Sequence, residues 1–256
     1  MKKTIIKMIK RLGYAVHKIH NNEQPALKDI KDQAFWDIYD SCKPYTMTSV
    51  ERMYGLYNSV NYVLRNNIPG AFVECGVWRG GSAMLIAKLL LNNNICDRKI
   101  YLYDTFDGMT DPTGEDINLN GVNASLILQK KESDKKDQGW CIADLADVQN
   151  NMQLTNYPPE HIVYIKGKVE ETIPAVLPDK EIALLRLDTD WYESTKHELI
   201  HLFPMLETNG IIIIDDYGHW EGCKKAVDDY FNEHKINILL NRIDYTCRVG
   251  IKNSSN

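Results

Sequence analysis

The chain has 256 residues, 44% of them apolar and 25% charged, and 30 Lys+Arg against 35 Asp+Glu leave a formal net charge of −5. A chain this long buries roughly 70–75% of the surface its unfolded form exposes, so it needs no disulfide staples, and its composition excludes disordered and collagen-like classes. The mild acidity argues against a nucleic-acid partner, which needs a basic face, and no apolar run approaches the ~20 residues of a membrane span.

Residues 1–20 read as a basic amphipathic helix. Ile5, Ile9, Leu12, Val16 and Ile19 recur at helical spacing, while Lys2, Lys3, Lys7, Lys10, Arg11 and Lys18 carry the charge. The apolar stripe is expected to dock on the body or on a second subunit, making a homo-oligomer. Weak membrane-surface contact through residues 1–20 is the alternative. Lys7, Lys10 and Arg11 interrupt the apolar stretch that a signal peptide requires. The linker ending at Pro25 separates residues 1–25 from one domain over 26–256.

Within that domain a helix is expected over 26–39. A second should begin at Thr48-Ser49-Val50-Glu51, which has the form of a capping box, and end near Arg65 before Pro69-Gly70. Beyond Gly70 the pattern alternates. Strands are expected at 71–75, 99–104, 162–166, 182–188 and 211–215, and helices at 82–91, 144–155, 170–177 and 194–206. Short apolar strands separated by helices imply an α/β fold with a parallel sheet covered on both faces. Residues 236–242 and 246–252 read as an antiparallel hairpin at the sheet edge. The 110–140 segment is long, polar and without clear periodicity, and is expected to be an irregular cap over an active site. Six cysteines without a Cys-x-x-Cys pair indicate reduced thiols in a cytoplasmic protein.

Three clusters carry chemistry. After the first strand, Gly76, Gly80 and Gly81 lead into Ser82 and a helix, a turn that suits close backbone approach to a ligand. The spacing differs from the Gly-x-Gly-x-x-Gly of dinucleotide sites. Asp104 ends the second strand, where an acidic residue accepts hydrogen bonds from ribose hydroxyls or simply caps a turn. Asp188 and Asp190 follow the fourth strand, and Asp215 and Asp216 the fifth. Four carboxylates at one sheet edge would repel one another. A divalent cation such as Mg²⁺, with its preference for oxygen ligands, resolves the conflict; ion pairing with Arg186 or Lys224 is the alternative.

The segments Val73–Ser82, Tyr103–Met109, Leu187–Thr195 and Asp215–Gly218, with Tyr45-Thr46-Met47-Thr48 and Lys166–Thr172, together resemble the macrocin O-methyltransferase (TylF-type) family over roughly residues 40–250. The resemblance implies a doubly wound, seven-stranded class I methyltransferase sheet of the Rossmann-like kind. Five strands would be parallel, followed by a C-terminal antiparallel hairpin, with N-terminal helices and the cap insertion. It implies S-adenosylmethionine and Mg²⁺ as cofactors and a sugar hydroxyl as acceptor, on a glycan precursor, nucleotide-sugar or glycosylated natural product.

By the same resemblance Asp188, Asp215 and Asp216 hold the metal and Asp190 is the general base. Gly76, Val77, Gly80 and Ser82 would line the methionine part of the cofactor, with Glu74 near its amino group. Asp104, Thr105 and Phe106 would lie at the ribose, Val169 and Glu170 at the adenine, and Asp188 and Thr189 also beside the cofactor. Tyr45, Met47, Trp191, Tyr217 and His219 are the substrate candidates, with Trp220 a further stacking surface. The alternatives are a catechol-like or other vicinal diol acceptor, a nicotinamide-dependent oxidoreductase and a binding module without turnover.

Overall fold

A computed structural model of the chain describes residues 27–132 and 141–254. The amphipathic helix expected over 1–20 lies outside the described residues, as does 133–140 of the expected cap. The chain divides between Asp32 and Gln33, and the fold below is that of the second unit.

Two helices come first, α1 (Gln33–Cys42) and α2 (Val50–Arg65). The cap of α2 is Ser49, one residue later than the capping-box pattern implies: its Oγ accepts from Arg52 N at 3.2 Å and donates to Asp244 Oδ2 at 3.0 Å. Thr48, freed from capping, accepts from Arg186 Nη2 at 3.3 Å. The first turn of α2 is thereby fixed against the C-terminal part of the chain.

The sheet follows, with β1 (Ala71–Cys75), α3 (Gly81–Asn92), β2 (Ile100–Asp104), α4 (Ala124–Glu132), α5 (Leu145–Gln153) and β3 (Ile162–Lys166). A single-turn α6 (Val169–Thr172) leads to β4 (Ile182–Leu187), α7 (Tyr192–Leu202), β5 (Leu206–Ile214), α8 (Glu221–Glu233), β6 (Asn241–Arg242) and β7 (Arg248–Ile251). The seven strands lie in the order β3-β2-β1-β4-β5-β7-β6. The first five are parallel and the last two antiparallel. The parallel strands are those the strand and helix rhythm indicates, and the doubly wound, seven-stranded order is the one the family resemblance implies.

Both central strands are buried along their whole length, as a sheet covered on both faces requires. On one face Val73, Cys75, Tyr103, Leu185, Leu187 and Ile212 pack with Leu199 and Leu202 of α7 and Val227 and Tyr230 of α8. The alternate residues point to the other face, toward which α2 packs on β4 and β5 and α3 on β2. Each large aliphatic side chain buried in these layers is worth ~1.5–3 kcal/mol. The exceptions are charged: Glu74 of β1 and Arg186 of β4 are register partners, 1% and 2% exposed.

Several expectations are corrected. No helix is expected over Glu221–Glu233, yet α8 forms there and buries Cys223, Ala226, Val227, Tyr230 and Phe231 along one stripe. The helix expected over 170–177 ends at Thr172, because Pro174 has no N–H to continue it. The hairpin is shorter than its sequence pattern: Ile236, Ile238 and Leu240 pack on the core instead of pairing as a strand. The cap segment is not structureless either. Asp116, fully buried, accepts from Thr113 N at 2.6 Å and Tyr192 N at 2.8 Å, bridges join Ile117 to Asn123 and Asn118 to Trp220, and α4 follows. Among the described residues no helix is long and apolar enough to cross a membrane.

Candidate active site

Strand register brings the carboxyl ends of β2, β1, β4 and β5 level, with Cys75 beside Tyr103 and Leu187, and Leu187 beside Ile214. Chain order reverses direction at β1 and β4, the place where open α/β sheets bind ligands. A cleft of about 1050 Å³, counting its open mouth, occupies this edge. Its walls come from the loops after β1 to β5 and from Tyr45–Thr48 and Arg52.

The loop after β1 is held by backbone contact. Gly76 has φ +81°, and a Cβ there would sit 2.0 Å from Asp188 O, so only glycine lets the first and fourth loops touch. Gly81 serves packing: a Cβ would meet Tyr45 O and Thr46 Cβ at 2.7 Å. Val77 and Gly76 line the cleft, whereas Gly80 and Ser82 lie behind its wall. Asp104 lines it while accepting from Val77 N at 2.6 Å, Trp78 N at 3.1 Å and Phe106 N at 2.7 Å, so one carboxylate ties two loops together. Thr105, Val169, Glu170 and Thr189 also line the cleft, but Phe106 is buried beneath it. Glu74 is not in the cleft wall. It pairs with Arg186 Nη1 at 2.6 Å, and burial pushes its carboxyl up to about 7 despite that cation.

At the opposite end the carboxylates converge. Asp188, Asp215 and Asp216 each offer an oxygen within 4.8 Å of the others, the one group of three potential metal ligands among the described residues. Arg186 Nη2 lies 2.8 Å from both Asp188 Oδ2 and Asp215 Oδ1, while Arg52 bonds Asp215 Oδ2 and lies 3.2 Å from Asp244 Oδ2. The Arg186 pairing weighed for the carboxylates therefore forms, whereas Lys224 turns outward to Asp228 at 3.5 Å. Two cations do not satisfy the cluster: Asp216 Oδ2 is buried with no hydrogen-bond partner among the described residues. Burial, with repulsion from Asp190 and Asp188, holds Asp216 well above the usual carboxylate range. Asp188 is pushed up to about 6, chiefly by burial.

Asp190 adjoins this cluster in an unusual backbone form. Its φ is +66°, at the centre of a tight turn closed by Trp191 N donating to Thr189 O at 2.7 Å. Its Oδ1 accepts from Trp220 Nε1 at 2.8 Å, and burial followed by the charge of Asp188 pushes it up to about 8. A carboxyl so placed is poised to exchange a proton near neutrality.

The substrate candidates divide. Tyr45, Met47 and Trp191 line the cleft; Tyr217 and His219 do not. Tyr217 OH donates to Asp228 Oδ1 at 2.7 Å beneath Arg248, and His219 packs edge-on against Trp220. Trp191 and Trp220, 2% and 8% exposed, pack edge to face on each other at 5.0 Å, which leaves little ring face for a sugar. Met109, Thr110 and Cys141 bring both ends of the cap segment to the cleft. Arg52 is the site residue that sequence patterns miss, since nothing local marks a partner 163 positions away. A decoy also resolves: His197-Glu198-x-x-His201 has the spacing of a helical zinc site. The two imidazoles pack 4.5 Å apart, but Glu198 turns inward to Thr189 and His197 Nε2 lies 2.7 Å from Ile173 O, so acid and ring nitrogen are engaged elsewhere.

Comparison with known proteins agrees with this geometry. The family model for macrocin-O-methyltransferase (TylF) matches residues 2–249. Demethyldecarbamoylnovobiocin O-methyltransferase of Streptomyces niveus is 32% identical over 207 residues, 78% of this chain and 72% of that protein. Mycinamicin III 3''-O-methyltransferase of Micromonospora griseorubida is 30% identical over 206 residues, 78% of this chain and 75% of that protein. The solved structure of the O-methyltransferase NovP superposes with a TM-score of 0.71 at 30% identity, covering 82% of each chain. With the strand order and the paired carboxylate loops, these matches make the chain a member of the macrocin O-methyltransferase family.

Proposed function

We propose that this chain transfers the methyl group of S-adenosylmethionine to a sugar hydroxyl with the help of Mg²⁺. The observation that carries the metal part is the orphaned, buried Asp216 Oδ2 within a three-carboxylate group. An all-oxygen donor set with open positions suits a hard, partly hydrated cation. Bound there, Mg²⁺ would act as Lewis acid and template for the acceptor hydroxyl. Relatives named for the methylation of sugar-bearing antibiotics support a sugar acceptor over a catechol-like diol, and family membership removes the case for a nicotinamide cofactor.

The chain's own residues then divide the work. Asp188, Asp215 and Asp216 would hold the cation, with Arg186 pairing to Asp188 and Asp215 and Arg52 to Asp215 so that the carboxylates are kept in place. Asp190 receives the acceptor proton. Gly76 and Val77 give backbone access to the methionine part, Asp104 and Thr105 meet the ribose, and Val169 and Glu170 flank the adenine. Holding both substrates in attack geometry supplies most of the remaining rate. In this reading the apolar stripe of residues 1–20 serves assembly into a homo-oligomer, and six cysteines without a Cys-x-x-Cys pair support a cytoplasmic setting.

Titration calorimetry with S-adenosylmethionine and with Mg²⁺, each with and without EDTA, tests the cofactor assignment. Mass spectrometry of glycosides and nucleotide-sugars for the gain of one methylene tests the acceptor. Absence of Mg²⁺ binding, or turnover unaffected by EDTA, sinks the metal reading. Because Asp188 is pushed up to about 6 and Asp216 is held well above the usual carboxylate range, protons must leave as the cation binds. Mg²⁺ affinity should therefore rise with pH from 6 upward, with proton release visible in buffers of different ionisation enthalpy. Asp104→Ala removes an ionised acceptor worth ~1.5–3 kcal/mol, so S-adenosylmethionine should bind roughly tenfold to a hundredfold more weakly. Unchanged affinity in a folded variant takes Asp104 out of the ribose site.

A further inference from the structure

One buried acid has no place in the chemistry above. Glu198, on α7, is 0% exposed and lies under the loop that carries Asp188 and Asp190. Thr189 Oγ1 donates to it, 3.0 Å from Oε1 and 3.2 Å from Oε2. On its other side lies the buried thiol of Cys75, the last residue of β1 before Gly76. A carboxyl buried among apolar residues is costly unless something needs it there. The need lies one residue away. Asp190 has a positive φ that a side chain other than glycine rarely adopts, and such strain persists only where the surroundings over-determine it. Backbone bonds supply part of the restraint, Trp191 N to Thr189 O and Asp188 N to Cys75 O at 2.8 Å. Ser194 Oγ adds a bond to Thr189 O at 3.3 Å. The Thr189 hydroxyl is the grip on the loop's own side chain, and Glu198 is what it grips.

We propose that Glu198 is a positioning residue: through Thr189 it holds the turn that aims Asp188 at the cation and Asp190 at the acceptor. The proposal rests on the metal reading given above. Burial and the acidic neighbours Glu170 and Asp188 hold the Glu198 carboxyl well above its ordinary range, which agrees with an uncharged bracket in place of an ion pair. Glutamine, of the same shape and also uncharged, should therefore replace it. Leucine fills the same space without any grip.

The test uses the full-length chain and Mg²⁺ alone as probe, read by titration calorimetry beside thermal melting. Glu198→Leu should weaken Mg²⁺ binding about tenfold, the scale on which outer-shell supports act, while Glu198→Gln stays within roughly twofold of the parent. Should Glu198→Leu fail to fold, Glu198→Leu with Thr189→Val leaves no buried polar group unpaired. That double variant should melt like the parent yet still bind Mg²⁺ about tenfold more weakly. Parent-like Mg²⁺ affinity in either leucine variant overturns the proposal, because packing alone then suffices. Glutamine behaving as badly as leucine overturns it too, because a charge is then required. A parent chain that binds no Mg²⁺ is a different failure, of the metal site itself.

Discussion

Replacing Asp190 with Asn should lower kcat by roughly 10²–10⁴-fold while leaving Mg²⁺ and S-adenosylmethionine affinity nearly intact. The amide keeps an oxygen to accept from Trp220 Nε1, so the tight turn survives and only the proton acceptor is lost. Asp188→Asn should behave in the opposite way. Its carboxylate belongs to the three-oxygen group, so the variant should bind Mg²⁺ poorly and be partly rescued by excess metal. Steady-state kinetics across a Mg²⁺ series, with calorimetry on each variant, separates the two. Loss of metal binding in the Asp190 variant with retention in the Asp188 variant would mean that the roles are exchanged.

Arg186→Met should be the most destabilising single change at the site, costing about 3–5 kcal/mol, because it strands buried acids that the guanidinium now serves. Glu74, Asp188 and Asp215 all lie within 2.8 Å of it, and Thr48 within 3.3 Å. The pH dependence has a defined sign. Without the guanidinium that now restrains it, the Glu74 carboxyl, already pushed up to about 7 by burial, rises further above its unfolded value, and a raised carboxyl loses stability as pH increases. The deficit should therefore be largest near pH 8 and shrink on acidification toward pH 5. Urea unfolding at both pH values checks it, and an equal deficit at each would show that packing, not charge, is what Arg186 provides.

Much of this architecture is readable from local pattern. Ala71–Cys75 and Ile162–Lys166 are apolar runs with turn residues on both sides, and they form strands with those bounds. β5 begins at Leu206, well before the Ile211 that its apolar run indicates, because Glu207, Thr208 and Asn209 look like a turn although Leu206 already pairs with Ile182. α4 escapes notice since Leu126 is exposed while Ala124 and Leu128 are buried, a pattern too weak to stand out in a polar stretch. Asp188, Asp215 and Asp216 are legible because each follows the apolar run of a strand, and strand ends in a parallel sheet share an edge. Arg52, by contrast, sits on a helix whose other features are ordinary. Its meeting with Asp215 is decided by how α2 packs across β4 and β5, which no window of sequence contains.

That long reach bears on how the protein is made. Arg52 and Asp215 are 163 positions apart, and Glu74 and Arg186 are 112 apart. At ~5–20 residues per second of synthesis, the first pair waits about 8–30 seconds for its second half to be polymerised. Until β4 is made, β1 has an unpaired edge with the charged Glu74 one residue from its end. A carboxylate at that edge disfavours pairing with another nascent chain, as inward-pointing charges do at sheet margins. Glu74 becomes a buried ion-pair partner only once the fourth strand arrives with Arg186.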